Sequence, residues 1–187
     1  MKKNTNNWTE QILDGEDVRG VLEAQKIVPG LGQHTKYTGP IVYGRTKGTV
    51  KDASFTIPDD KSELIWRDGI WLEGTLKEAD WRDGTWKKGT FTQGSWHDGT
   101  WENGTFEGDY WVNGTWKNGV FADGQWKDGV WENGIFKNGQ WLSGTWKDGV
   151  HKGGVWSGGI FKGGSWKGGS WEGGTWKDKE NPAPNDR

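Results

Sequence analysis

From Trp66 to Trp176 a bulky residue recurs at every fifth position through twenty-three units, and this period constrains the fold more than any other feature. The aromatic members are Trp66, Trp71, Trp81, Trp86, Phe91, Trp96, Trp101, Phe106, Trp111, Trp116, Phe121, Trp126, Trp131, Phe136, Trp141, Trp146, Trp156, Phe161, Trp166, Trp171 and Trp176, with Leu76 and His151 in the remaining two places. Glycine follows three residues after each, except at Ala79, Asp109 and Lys179. Sixteen of the 17 tryptophans keep this step.

The unit Gly114-Thr115-Trp116-Lys117-Asn118 shows which way the rings point. Strand side chains alternate faces, so Gly114 and Trp116 share one face while Thr115 and Lys117 share the other. Lysine is almost never buried unpaired, which puts Lys117 outside and the indole inside. The Asp/Asn-Gly pair between successive rings has turn chemistry. Each unit is therefore a very short strand followed by a corner. A chain that turns a corner every five residues with its rings inward winds into a β-solenoid, an all-β repeat fold.

The number of sides per coil follows from available space. A five-residue side is roughly 16 Å long at strand rise, so a triangular coil leaves about 5 Å from wall to centre. Three inward rings per layer would overpack such a space. The expectation is a four-sided coil, five residues per side, with Trp66 under Trp86 and Trp96 under Trp116. A second period of fifteen, Trp-Trp-Phe from Trp81 to Phe136, with polar Ser95, Gln125 and Gln140 at multiples of it, then reads as the history of duplication. The alternative is a three-sided coil of 15 residues.

The five-residue unit resembles the pentapeptide repeat, in which a small residue, a polar one and a central Leu or Phe precede two variable positions. Gly-Thr-Trp-Lys-Asn fits that spacing, with glycine in place of the small residue and tryptophan in place of the central one. The resemblance implies a right-handed quadrilateral β-helix. Some members of that family mimic DNA through an acidic surface, which the near balance of Lys with Asp and Glu here does not reproduce. The hexapeptide Gly114–Gly119 also resembles the opening of a MORN repeat, which implies an intracellular scaffold. Short Trp-x-x-Gly arrays are similar to accessory proteins of bacteriophage virions.

Before the repeat, residues 1–60 differ in composition and read as a capping and docking segment. Glu16–Lys26 has the pattern of a short helix, Ile41–Tyr43 and Thr49–Ile57 read as strands, and Pro58-Asp59-Asp60 as a turn. Val50 and Phe55, five apart, suggest a degenerate first coil that closes the solenoid. The apolar docking contacts of this segment are Trp8, Ile12, Leu13, Val21 and Leu22. The solenoid occupies residues 61–178, and the proline-bearing tail 179–187 is expected to be disordered.

Functional chemistry is sparse. The chain has no cysteine, and none of His34, His97 and His151 has a partner at metal-ligand spacing, so neither cofactor nor metal is expected. His34 and His97 read as solvated, whereas His151 replaces an inward ring. Asp59 and Asp60 belong to a turn. The glycine pairs from Gly153-Gly154 to Gly173-Gly174 lack the Lys-Ser/Thr ending of a phosphate loop and read as corners. A net charge of −2 gives no global field for nucleic acid. The N-terminus lacks the apolar stretch of a signal peptide, and no run has transmembrane length. These features point to a non-enzymatic structural or interaction protein, made in the cytoplasm and joining a larger assembly of structural proteins, a phage virion foremost, with self-association as a further option. A glycan- or cell-surface-binding module with exposed rings is the alternative.

Overall fold

The corners set the path of the chain. At Asp98-Gly99, Asn103-Gly104 and Asp128-Gly129, the side-chain Oδ1 accepts the N–H of the following glycine at 2.7, 2.8 and 2.7 Å, and the glycines take φ of +111°, +124° and +117°. Two-residue strands such as Thr115–Trp116 connect these corners. The computed structural model describes residues 37–43, 45–56 and 64–184, and their strands form one continuous parallel solenoid preceded by an antiparallel hairpin.

The chain meets itself after three corners. Thr115 and Trp116 pair in parallel with Thr100 and Trp101 below and with Val130 and Trp131 above, a step of 15 residues in both directions. Lys117 N–H donates to the Trp101 carbonyl at 2.8 Å, and Thr115 N–H to the Gly99 carbonyl at 2.9 Å. The same two bonds repeat side by side up the molecule. The coil is thus three-sided, and the four-sided expectation is corrected: Trp66 lies under Trp81, at 4.7 Å between ring centroids, and Trp96 under Trp111 at 4.9 Å.

Ring tilt explains why three sides suffice. The centroids of Trp131, Phe136 and Trp141 form a triangle with sides of 6.2, 6.2 and 6.3 Å, and their planes meet at 73°, 76° and 77°. Three planes arranged around an axis at those mutual angles are each inclined about 45° to the layer. A coil step of 4.7 to 4.9 Å then leaves about 3.4 Å between successive planes, the offset stacking that aromatic rings favour. Within a layer the rings meet edge to face, the other favoured arrangement. Overpacking would arise only if each ring pointed straight at the centre from a wall built of five-residue strands. In the structure most of the paired strands are two residues long, and the rings lie as a tilted pinwheel.

Three stacks result. One consists entirely of tryptophan, from Trp66 through Trp81, Trp96, Trp111, Trp126, Trp141 and Trp156 to Trp171. The second runs from Trp71 to Trp176 with Phe161 in its course. The third is Leu76, Phe91, Phe106, Phe121, Phe136, His151 and Trp166. The Trp-Trp-Phe period is therefore the coil itself. Glycine is required where successive corners touch: a Cβ on Gly114 would lie 2.6 Å from the Gly99 carbonyl oxygen.

The lower end is closed by a hairpin of β1 (Tyr37–Tyr43) and β2 (Thr46–Thr56), and β2 pairs antiparallel with β3 (Leu64–Trp81). Val50 and Phe55 do face the first coil, opposite Trp71 and Trp66, but from a strand running the other way. The Phe55 ring lies 6.3 Å from that of Trp66 at 14° between planes. Buried Thr46 fastens the hairpin, its Oγ1 accepting from Lys77 N–H at 2.9 Å and donating to the Lys77 carbonyl at 3.1 Å. At the upper end, Trp176 Nε1 donates to the Asn181 carbonyl at 2.8 Å. The first part of the tail, expected to fray, here folds back in a turn around Asp178, whose carboxyl is held below its ordinary value chiefly by the Asn181 side-chain hydrogen bond.

Candidate functional site

The rings of the ladder point inward. From Trp66 to Phe161 every aromatic ring of the ladder is fully buried; Trp166 is 7% exposed, and Trp171 and Trp176 are half-buried at the upper end. Trp131 and Trp146 donate their indole N–H to the carbonyls of Asp148 and Gly163, at 3.1 and 3.0 Å, in the corner of the next coil. In the all-tryptophan stack, the indole nitrogens from Trp66 to Trp156 have no acceptor. Each such buried N–H costs about 1–3 kcal/mol, which ring burial has to exceed.

His151 occupies an inward place and fits it as a neutral ring. It lies 3.9 Å from Trp166 and 5.1 Å from Phe136, stacked on both. Its Nδ1 is 3.0 Å from the Gly168 carbonyl, which fixes the proton on that nitrogen and leaves Nε2 buried without a partner. Desolvation lowers its pKa to about 4. His97, expected to be solvated, is partly covered and stands 2.8 Å from Asp80, which also pairs with Arg82. Among the described residues no group of three or more His, Cys, Asp or Glu could hold a metal ion, and no helix is long and apolar enough to cross a membrane.

The outer walls carry what remains. Because a coil is 15 residues, side chains 15 apart lie directly above one another and form ladders. Gln125 donates to Gln140 at 2.9 Å, while Lys87 and Lys117 flank Glu102 at 2.7 and 3.8 Å and Lys147 meets Glu132 at 3.1 Å. Tyr110 is the one exposed large hydrophobic among the described residues, and Lys127 sits 4.5 Å above its ring. Near the upper end, the position after the inward residue is lysine in successive coils on two sides, as Lys137, Lys152 and Lys167 and as Lys147, Lys162 and Lys177, the second row having Asp148 and Asp178 beside it. A 20-residue coil hides these rows, because lysines 15 residues apart then fall on different sides. The docking residues Trp8, Ile12, Leu13, Val21 and Leu22, together with His34, Asp59, Asp60 and the helix at Glu16–Lys26, lie outside the described residues.

Fold and surface together define a class: a three-sided parallel β-solenoid with an aromatic core and ladders of polar side chains on its walls. Comparison with protein-family models, with curated proteins and with solved structures found no significant match.

Proposed function

We propose that the chain is a non-enzymatic structural module of a larger assembly, a phage particle foremost, attached through residues 1–60 with the solenoid as its projecting part. The observation that carries this reading is the burial of the ladder. A module that grips sugars by ring stacking keeps its rings outside. This chain commits its rings to a stacked interior, which yields stiffness along one axis. The hairpin cap lies against the first coil, at the end of the solenoid opposite the Asp178 turn. Kinship with quadrilateral pentapeptide-repeat proteins is no part of the reading, since the coil has three sides.

Purified particles provide the test. Tagged full-length protein co-sediments with assembled particles from infected cells, whereas a chain lacking residues 1–30, and with them Trp8, stays in the soluble fraction with the emission maximum of the buried ladder tryptophans retained. Equal incorporation of both forms overturns the docking role, and an intact chain found only as a free monomer overturns the structural reading.

A further inference from the structure

We propose that the upper third of the solenoid carries a binding face for a linear acidic polysaccharide, laid between two rows of lysines. Lys137, Lys152 and Lys167 follow the inward residues Phe136, His151 and Trp166, which pair coil on coil, so the three lysines line one corner. Lys147, Lys162 and Lys177 follow Trp146, Phe161 and Trp176 and line the preceding corner. All six are exposed, and successive members of a row are one coil apart, about 4.8 Å. The wall between the rows presents Ile135, Val150 and Ser165, with Asp148 in the corner beside Lys147.

The remainder of the surface shows that this charge is local. In lower coils, lysine alternates with glutamate in the same corner and the two pair. Above Lys147 the alternation stops. Of the six lysines only Lys147 makes an ion pair among the described residues, with Glu132. The corner residue, Asp or Asn in most of the lower units, becomes glycine at Gly153, Gly158, Gly163, Gly168 and Gly173. Each replacement forgoes the side-chain bond that Asp128 makes to Gly129 N–H at 2.7 Å. Glu172 is the one acid left between Asp148 and Asp178, and it lies in the third corner beside Ser157. Like charges directly opposite on neighbouring strands repel. A polyanion along the wall relieves that repulsion and releases its own counterions.

Polysaccharide fits the wall better than nucleic acid. Single-stranded nucleic acid is held by aromatic stacking as well as charge, and the rings of this chain point inward. Exposed Tyr110 belongs to a different wall, between Asp109 and Trp111. An extended acidic glycan needs only paired charge and a flat strip. This inference goes beyond the structural role and stands whether or not the chain belongs to a virion.

The test uses the full chain and a heparin oligosaccharide as probe, titrated across a salt series from about 50 mM upward. The variant K152Q/K162Q/K167Q is compared with K87Q/K88Q/K117Q, which removes the same charge from the mixed corners. Heparin affinity is expected to fall about tenfold, with a shallower salt dependence, for the first variant and to change less than about twofold for the second. Tryptophan emission stays unchanged in both, because all six side chains lie outside the core. Absence of heparin binding by the intact chain, or equal losses in the two variants, overturns the proposal. Tighter binding of oligothymidylate than of heparin at matched charge overturns the choice of polysaccharide.

Discussion

Replacing His151 by phenylalanine should remove one specific component of the pH dependence of stability. The imidazole is enclosed by Phe136, Trp166, Trp146 and Trp156, none of which titrates. Burial lowers its folded-state pKa to about 4 from an ordinary value of 6.5. Above pH 6.5 the ring is neutral in both states and stability is unaffected. As pH falls below 6.5 the unfolded chain takes up a proton that the folded one refuses, so stability is lost until the folded pKa is reached. Converted at 1.36 kcal/mol per unit, the loss is about 2 kcal/mol by pH 5 and about 3 kcal/mol by pH 4. The His151→Phe variant would continue a stack already built from phenylalanine, and at neutral pH it should lie within about 1 kcal/mol of the parent. It forfeits the bond to Gly168 and also removes the orphaned Nε2. Urea titrations followed by tryptophan emission at about pH 7.5 and pH 5 supply the comparison. The carboxylates common to both proteins cancel in the difference. Parallel profiles for parent and variant would refute the assignment of a buried neutral imidazole.

Trp116→Ala should destabilise by about 4 kcal/mol, because the ring is fully buried and stacked on both sides, at 4.9 Å from Trp101 and 4.8 Å from Trp131. Trp176→Ala, with one stacking partner and partial exposure, should cost about 1–2 kcal/mol, and equal urea midpoints would contradict the burial gradient. Gly114→Ala should cost at least about 2 kcal/mol, since it combines a φ of +114° with a Cβ 2.6 Å from a backbone oxygen of the coil below. Gly153→Ala, whose nearest neighbour is the Lys137 carbonyl oxygen at 3.1 Å, should cost clearly less by the same measurement.

The inward register was legible because it rests on strict alternation: a lysine beside every few rings admits only one orientation. The corners were legible for an equally local reason, the pairing of Asp or Asn with glycine. The side count depends instead on how rings share a volume, and no single residue encodes tilt. The better guide was present as the 15-residue recurrence of Phe91, Phe106, Phe121 and Phe136, which the structure converts into one stack. The hairpin cap was half legible. Val50 and Phe55 announced apolar faces for the first coil, whereas strand direction shows only in the antiparallel pairing of β2 with β3. A net charge of −2 concealed the segregation of lysine toward one end, because a sum carries no position.

The closed lower end and the uniform coil step have a consequence for how such a molecule changes over generations. An in-frame duplication of one coil inserts a layer between two others without disturbing the hairpin or the Asp178 turn, and it lengthens the rod by one step. Loss of a single side preserves the rhythm of corners but rotates every wall above the lesion by one position, carrying its lysine rows to a different flank. Reach and surface pattern are therefore separately adjustable: whole coils set how far the rod extends, and fractions of a coil set which direction its charges face.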